Sequence, residues 1–322
     1  MSPAAALPPL VITGANGFVG RQVLAILAAR GVSEVVALAR DGAPLEALPF
    51  WRPAWRAVSC DLTRDVVPTV EIARGATVLH LAAGTGKLAP SAMQAVNVEG
   101  TRRVLQAARA AHAAHVVFVS SIAAGFRDRR WYPYAESKRE AERLVTAGGV
   151  PFSIVRPTII FGRGSAVGAA LQGLATGRAP IVLGSGRVRV QPVHVDDVVT
   201  FLLALAAGAP SGGDALEVGG ADRLTMTALL AAIREALQLP PRRVIPIPLG
   251  ALRFALGTVE SILRPVLPVT AGQLAAFVND STAARSTTAD ALLPSPMGVR
   301  EMIERERAPT LPAALGAPAA DA

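Results

Sequence analysis

Hydrophobic and polar positions in the first half of the chain follow two alternating periods. "PLVITG" (9–14), "EVVALAR" (34–40), "WRAVSC" (55–60), "ATVLHLA" (76–82), "HVVFVSS" (115–121) and "FSIVRP" (152–157) are short β-rich runs. Apolar runs of this length, bounded by turn residues, predict strands buried in a parallel sheet. "FVGRQVLAILAAR" (18–30) and the stretches 64–73, 91–112 and 133–147 carry the helical period. The alternation predicts strand–helix–strand units. Beyond Arg156 the order loosens: strand-like "PIVLG" and "ALEVGG" mix with helical stretches at 165–176, 195–207 and 224–237. The expected fold class is therefore α/β, a doubly wound parallel sheet with a smaller C-terminal α/β lobe packed over its carboxyl edge.

Composition narrows the picture. Hydrophobic residues make up 51% of the 322 and aromatic residues 4%, a globular balance with enough chain for a sizeable core. The net charge of +8 comes from arginines spread along the chain, as in "TRRVLQAARA". Without a basic stripe carrying interleaved aromatics, nucleic acid is not an expected partner, and a phosphorylated cofactor is a better use of the charge. Cys60 is the only cysteine, which excludes an intramolecular disulfide and leaves no metal site expected. "MSPAAALPPL" lacks the features of a signal peptide, and no stretch of about eighteen uninterrupted apolar residues predicts a spanning helix. The chain reads as soluble and cytoplasmic. Its Ala/Pro-rich end, from 306 to 322, reads as a disordered tail.

"VITGANGFVG" places Gly14, Gly17 and Gly20 at a strand-to-helix turn. Glycine there permits the tight turn, lets the backbone approach a pyrophosphate and packs the helix on the strand. The helix start offers free N–H groups and a positive dipole end to phosphates. The pattern predicts a Rossmann dinucleotide site, although the spacing is Gly-x-x-Gly-x-x-Gly and not the commoner Gly-x-Gly-x-x-Gly. About twenty residues on, an NAD enzyme carries an acid for the ribose 2′-hydroxyl. Here the second strand ends in Arg40, whose guanidinium suits a 2′-phosphate. Asp41 follows, so a one-residue shift restores an acid. The expected cofactor is NADP, with NAD the alternative. Asp61, in "CDLT", is placed either to accept from an adenine amine or to cap a helix, a role for which Thr63 competes.

Lys87 and Lys138 are the only lysines, and Tyr132 and Tyr134 the only tyrosines. Tyr134 and Lys138 nevertheless stand four apart on a predicted helix, hence on one face. A free phenol is a poor base at neutral pH, and a nearby ammonium favours its phenolate. Lysine also suits hydrogen bonding to a nicotinamide ribose better than a planar guanidinium does. Ser121, at the carboxyl end of a central strand, can polarise a carbonyl while Tyr134 exchanges the proton. Ser120 points the other way.

In chain order, "TGANGFVG", "CDL", "HLAA", "VNVEGT", "VSS", "YAESK", "VRPTIIFG" and "VHVDDVV" resemble the short-chain dehydrogenase/reductase superfamily, specifically its extended, epimerase/dehydratase branch. The resemblance spans about residues 9–240. It implies Tyr134 as acid/base, Lys138 as its activator and ribose contact, and Ser121 as carbonyl binder. It further implies a cofactor site of Gly14, Asn16, Gly17, Phe18 and Val19 in the turn, Arg40 after the second strand, and Asp61 and Leu62 after the third. Leu81, Ala82 and Ala83 line the cofactor, Asn97 matches the family's structural asparagine, and Pro157, Ile159 and Ile160 flank the nicotinamide. Asp196 and Asp197 hold the lobe connection. Residues 1–160 are then the NAD(P)-binding Rossmann domain, with later segments returning to it, and 161–305 mainly the substrate lobe.

Two departures bear on substrate. Sugar-nucleotide enzymes usually read Arg-x-Phe-Asn after the sixth strand, with the asparagine on the sugar diphosphate; this chain reads Arg156-Pro157-Thr158-Ile159. The interval between Ser121 and Tyr134 is also short. Both features, with "LPVTAGQLAAFVND" (267–280), are similar to the dehydrogenase-like accessory subunit of respiratory complex I and its bacterial relatives. Three functions follow. The first is an NAD(P)-dependent oxidoreductase moving hydride on a ketone or secondary alcohol, the second an NAD-dependent sugar-nucleotide epimerase or dehydratase. The third is a non-catalytic NADPH-binding accessory or assembly protein. The expected partner is a small, apolar substrate, with a homodimer or accessory-protein contact through the C-terminal lobe.

Among the remaining residues, His80 reads as a brace for the cofactor loop rather than a catalyst. His194 has no second His or Cys near it in sequence to complete a metal site. Trp131 either flanks the substrate or covers the helix start. The apolar stretch 245–268 reads first as core, and otherwise as a substrate wall or partner surface.

Overall fold

The computed structural model describes residues 7–86, 88–129, 132–208, 213–249 and 277–307. Trp131, most of the apolar stretch (250–268) and the tail from 308 onward lie outside the described residues.

The first half alternates strand and helix. It runs β1 (Leu10–Thr13), α1 (Phe18–Ala29), β2 (Val35–Ala39), α2 (Ala43–Glu46), β3 (Arg56–Ser59), β4 (Thr77–His80), α3 (Pro90–Gln94), α4 (Gly100–Ala110), β5 (His115–Val119), α5 (Pro133–Ala147) and β6 (Phe152–Pro157). The second half uses shorter pieces: β7 (Ile160–Phe161), α6 (Ala166–Thr176), β8 (Ile181–Leu183), β9 (Arg189–Val190), β10 (Val193–His194) and α7 (Val195–Ala207). They are followed by β11 (Leu216–Val218), β12 (Leu224–Thr225), α8 (Met226–Ala236), β13 (Ile245–Ile247), α9 (Thr287–Leu292) and α10 (Val299–Arg307).

Seven strands form one parallel sheet in the order β11-β6-β5-β4-β1-β2-β3. This is the doubly wound Rossmann arrangement, with the order reversing between β1 and β4. Successive strand residues face opposite sides. Leu10, Ile12, Val117 and Val119 pack with Leu24 and Leu27 of α1 and Val198 and Leu202 of α7. Val11, Val116 and Phe118 pack with Val104 and Leu105 of α4 and Ala141 and Val145 of α5. Burial on both faces is why these strands are apolar throughout. A third core joins Leu171 of α6, Leu229 and Ile233 of α8, and Met302 and Ile303 of α10. The later segments α7 and β11 return to the sheet, α7 onto the α1 face and β11 alongside β6.

Three helical expectations change. The stretch 64–73 contains only a 3-10 turn, Thr69–Glu71. Pro68 disfavours helical backbone at Val67 and donates no amide, which stops a helix there. The run 91–112 is helical through Ala110 but holds a π-helical turn at Ala95–Glu99. The stretch 224–237 opens as β12, paired antiparallel with β9, and turns helical at Met226, where Thr225 Oγ1 accepts from Ala228 N–H at 3.1 Å. At the far end α10 runs to Arg307, past the expected start of the tail at 306.

Candidate active site

The glycine turn sits at the point where the strand order reverses. Gly14 follows β1 with φ +68, and a Cβ there would lie 2.6 Å from the backbone N of Ala82, on the loop after β4. A Cβ on Gly20 would lie 2.4 Å from the Gly14 carbonyl. Both positions demand glycine, one for backbone conformation and approach, the other for seating α1 on the turn. Gly17 caps α1 with no side-chain cap, which leaves the helix N–H groups to a ligand. Leu81, Ala82 and Ala83 form the facing wall, fixed by Leu81 N–H on the Thr13 carbonyl and Ala82 N–H on Thr13 Oγ1. This cradle fits a dinucleotide pyrophosphate. Asn16 spends its Oδ1 on Arg21, at 2.9 and 2.7 Å, while Phe18 and Val19 pack partly into the core beneath.

Arg40 and Asp41 both lie exposed just after β2. Asp41 Oδ1 accepts from Ala43 N–H at 3.1 Å, so the acid is engaged in its own turn. Asp61 follows β3, and its Oδ1 accepts from Thr63 N–H at 3.0 Å and Thr63 Oγ1 at 2.7 Å. These bonds hold its carboxyl below the usual range, with the Arg64 and Arg40 charges adding to the effect. Asp61 thus closes a local turn on Thr63, and among the described residues no helix starts there to be capped. Leu62 is buried beneath Gly100 at the start of α4.

Ser121, Tyr134 and Lys138 come together where β5 meets α5. The Ser121 side chain lies beside the Tyr134 phenol and acts on its titration, and its Oγ accepts from Ala123 N–H at 3.2 Å. Ile122, Ala123, Phe126 and Ala135 form a small apolar cluster against which Tyr132 and Tyr134 pack. Burial in that cluster raises the Tyr134 phenol above its ordinary value, and the Ser121 side chain opposes the rise. The sequence reading, a phenolate favoured by Lys138 and by a nicotinamide beside the pair, concerns the site with its cofactor. In the protein desolvation wins, and the phenol keeps its proton at neutral pH. Lys138 is buried, its Nζ donating to the Val119 carbonyl at 2.8 Å and lying 4.8 Å from the centre of the Phe118 ring. Burial lowers its pKa to about 8 against the opposing charge of Glu142. Two of its three donors remain for a ligand.

Several buried polar residues brace this arrangement. His80 Nδ1 lies 2.6 Å from Thr13 Oγ1 and Nε2 2.9 Å from Thr101 Oγ1, so it ties β1 to α4. Burial depresses it to about 3, a neutral imidazole unsuited to proton exchange near pH 7. Asn97 lies in the π-helical turn, takes Gly84 N–H at 2.7 Å, and donates to the Gly84 carbonyl and Ser137 Oγ at 3.0 and 2.9 Å. It thereby ties the loop after β4 to the residue beside Lys138. The π turn supplies the local displacement that aims Asn97 inward, as such turns often do at sites.

Pro157, Ile159 and Ile160 leave β6 between two neighbours: Thr158 N–H bonds the Val218 carbonyl and Val193 N–H bonds the Ile159 carbonyl, both at 2.9 Å. Asp196 accepts from Gln22 on α1 at 2.5 Å and Arg305 on α10 at 2.7 Å, and Asp197 accepts from Met297 N–H at 2.8 Å. Both aspartates therefore join segments. Sequence reasoning missed Glu142, whose carboxylate accepts from Ser120 and Arg156, and Asn279, which holds the loop between Ser121 and Tyr134. Glu142 had a signal, four residues past Lys138 on the same helix face. Asn279 had none.

The family model described as the NAD dependent epimerase/dehydratase family matches residues 10–219. Among curated relatives, the chain is 33% identical over 245 residues to the ceramide reductase of Caulobacter vibrioides, covering 73% of this chain and 72% of that protein. It is 29% identical over 285 residues to the 4-hydroxy-2-methyl-3-oxo-4-farnesyl-3,4-dihydroquinoline-1-oxide ketoreductase of Stigmatella aurantiaca, covering 80% and 81% respectively. Among solved structures, the DesIV double mutant (dTDP-glucose 4,6-dehydratase) from Streptomyces venezuelae, with NAD and DAU bound, aligns with a TM-score of 0.69 at 21% identity, over 92% of this chain and 97% of that one. That last likeness is one of fold.

Proposed function

The chain belongs to the NAD dependent epimerase/dehydratase family, and from that footing we propose that it is an NADP(H)-dependent reductase of a ketone on a small, apolar substrate. The observation that carries this reading is the set of Ser121, Tyr134 and Lys138 where β5 meets α5, beside the buried apolar cluster of Ile122, Ala123 and Phe126. The two hydroxyls of that set suit the orientation of a single carbonyl. Ile159 adds to the reading, since an isoleucine offers no hydrogen bond to a sugar diphosphate. The names of the ceramide reductase and of the farnesyl-bearing quinoline oxide ketoreductase support the same substrate class.

When bound, the dinucleotide supplies the hydride. Tyr134, protonated at neutral pH, donates its phenol proton to the carbonyl oxygen as charge develops there. Ser121 donates a second hydrogen bond to that oxygen and fixes its direction. Lys138 keeps positive charge beside the phenolate left behind and offers donors to a ribose. Arg40 takes a 2′-phosphate, which favours NADP over NAD. In this reading residues 1–160 carry the dinucleotide and 161–305 mainly the substrate. It places the protein in the cytoplasm and leaves the C-terminal lobe for a second copy or an accessory protein. Among the described residues no helix is long and apolar enough to cross a membrane.

The test is NADPH oxidation across ketones of increasing chain length, with UDP- and dTDP-sugars in parallel calorimetry. Turnover should improve with apolar length, and the sugar nucleotides should bind no tighter than millimolar, about −4 kcal/mol. Micromolar binding of a UDP-sugar, with no ketone reduced, would return the epimerase reading. Native mass spectrometry of the purified protein should find NADP(H) where any cofactor is retained.

A further inference from the structure

Three side chains on successive turns of α5 each hold one of three consecutive residues at the end of β5. Tyr134 meets Ser121, Lys138 Nζ meets the Val119 carbonyl at 2.8 Å, and Glu142 Oε1 accepts from Ser120 Oγ at 2.5 Å. The spacing of four places all three on one helix face. Glu142 is 7% exposed, and its carboxylate also accepts from Arg156 Nε at 2.8 Å and Nη2 at 2.7 Å. Arg156 reaches Glu217 on its other side at 3.5 Å. An ion pair between α5 and β6 could sit anywhere along their contact. This one lies one turn below Lys138 and grips the residue before Ser121.

We propose that Glu142 is a positioning residue for the reaction, acting through Lys138, one turn away on the same face of α5, and through Ser120, which it fixes so that Ser121 faces Tyr134. The consequence for rate rests on the reductase reading above; the effect on Lys138 does not. The groups around Lys138 explain why the Glu142 charge is needed. His80 on β4 and the Phe118 ring on β5 leave Lys138 in a dry site, and the Arg156 cation on β6 is bonded to Glu142. Tyr134 holds its proton, and Glu217 on β11 is occupied with Arg156 and with Ala284 N–H. The Glu142 carboxylate is the charge that raises Lys138 against burial.

With only two lysines in the chain, the proposal can be read directly. Carbon-13 lysine labelling yields two side-chain signals in the full-length protein, and Lys87→Arg assigns them. In Glu142→Gln the Lys138 titration midpoint should fall by about one pH unit or more, because a nearby compensating charge is removed. The alkaline limb of kcat/KM for ketone reduction should fall with it. Arg156→Met, which frees the Glu142 charge, should move the midpoint up. Glu142→Asp keeps the charge and should hold the midpoint near its original place while kcat drops. A merely structural role would lower activity in all three without moving the midpoint. An unmoved midpoint in whichever of Glu142→Gln and Arg156→Met stays folded by circular dichroism overturns the proposal. So does a midpoint that moves while the rate profile stays put. Absence of ketone turnover in the unmodified protein tells against the reductase reading alone, and the midpoint then still decides whether Glu142 governs Lys138.

Discussion

Asn279 meets the backbone of Asp128 twice: its Oδ1 accepts from the Asp128 N–H at 3.1 Å, and its Nδ2 donates to the Asp128 carbonyl at 2.7 Å. Asp128 belongs to the loop that joins Ser121 to α5, so a residue near the C-terminus fixes the approach to Tyr134. The segment around Asn279 is itself anchored along β9, with Ser281 N–H on the Arg189 carbonyl at 2.7 Å and Gln191 N–H on the Ser281 carbonyl at 3.0 Å. Asn279→Ala removes the Asn279 partner from two part-buried backbone groups of Asp128, at a cost of about 1 kcal/mol. We expect faster amide hydrogen exchange across 126–129 and a higher KM for the ketone, with NADPH affinity held. Unchanged exchange in the variant would show that the loop is held by other contacts.

Tyr134→Phe keeps the ring packed against Ile122 and Phe126 but removes the proton that moves. Turnover should fall about a hundred-fold or more, the scale of general acid–base catalysis. Cofactor affinity should hardly change. Ser121→Ala should also lower turnover with affinity nearly intact. Lys138→Arg should lower both, because the planar guanidinium neither fits the buried site nor reproduces the ammonium's donors. Single-turnover kinetics with NADPH, paired with calorimetry, separate these cases. Full-rate reduction by Tyr134→Phe would remove the tyrosine from its assigned role.

Much of this arrangement is legible in the amino-acid sequence. The strands of the sheet announce themselves because α1 and α7 cover one face and α4 and α5 the other, which forces apolar residues at nearly every position. Tyr134 and Lys138 were legible because helical geometry alone puts residues four apart on one face. What sequence could not supply are relations that depend on distant packing. The Asn279–Asp128 pair spans 151 residues. The two-residue strands β7, β9, β10 and β12 are too short to leave a period. The direction of the Tyr134 pKa depends on desolvation where the ring packs beside the Ile122 and Phe126 cluster, a three-dimensional fact. The failed helix at 64–73 is different in kind. Pro68 was in plain view, and its local veto outweighed the apolar spacing.

The cofactor assignment turns on Arg40, exposed after β2, with Asp41 held in its own turn by Ala43. NADPH should bind more tightly than NADH. Arg40→Ala should erase most of that preference, a loss of about 1–3 kcal/mol for a charge-assisted phosphate contact. The difference should shrink as ionic strength rises, since an exposed contact is screened. Isothermal titration with both nucleotides checks it. Equal affinities in the unmodified protein would transfer the adenosine ribose to Asp41 and make NAD the cofactor.

Stability in acid should be governed first by buried histidines. Burial lowers His80 to about 3 and His115 to about 4, and it lowers His194 in the same direction. In the unfolded chain each imidazole takes a proton near its ordinary value of about 6.5. The folded protein refuses that proton until the pH is far lower. Between those limits the unfolded state binds more protons, so stability falls as pH falls. The contribution is fully present above about pH 6.5 and is lost progressively toward pH 4, at up to about 1.4 kcal/mol per pH unit for each histidine. His115 offers the cleaner test, because it lies at the start of β5, away from the carboxyl ends of the strands. Its Nε2 pairs with Ser153 Oγ at 2.9 Å, and its Nδ1 is buried with no hydrogen-bond partner in the structure. His115→Gln keeps a polar group beside Ser153 and removes the titration. Urea unfolding at pH 7.5, 6.5 and 5.5 should give a steep loss in the unmodified protein and a shallower one in the variant. Identical slopes would mean that His115 is protonated in the folded state as readily as in the unfolded one.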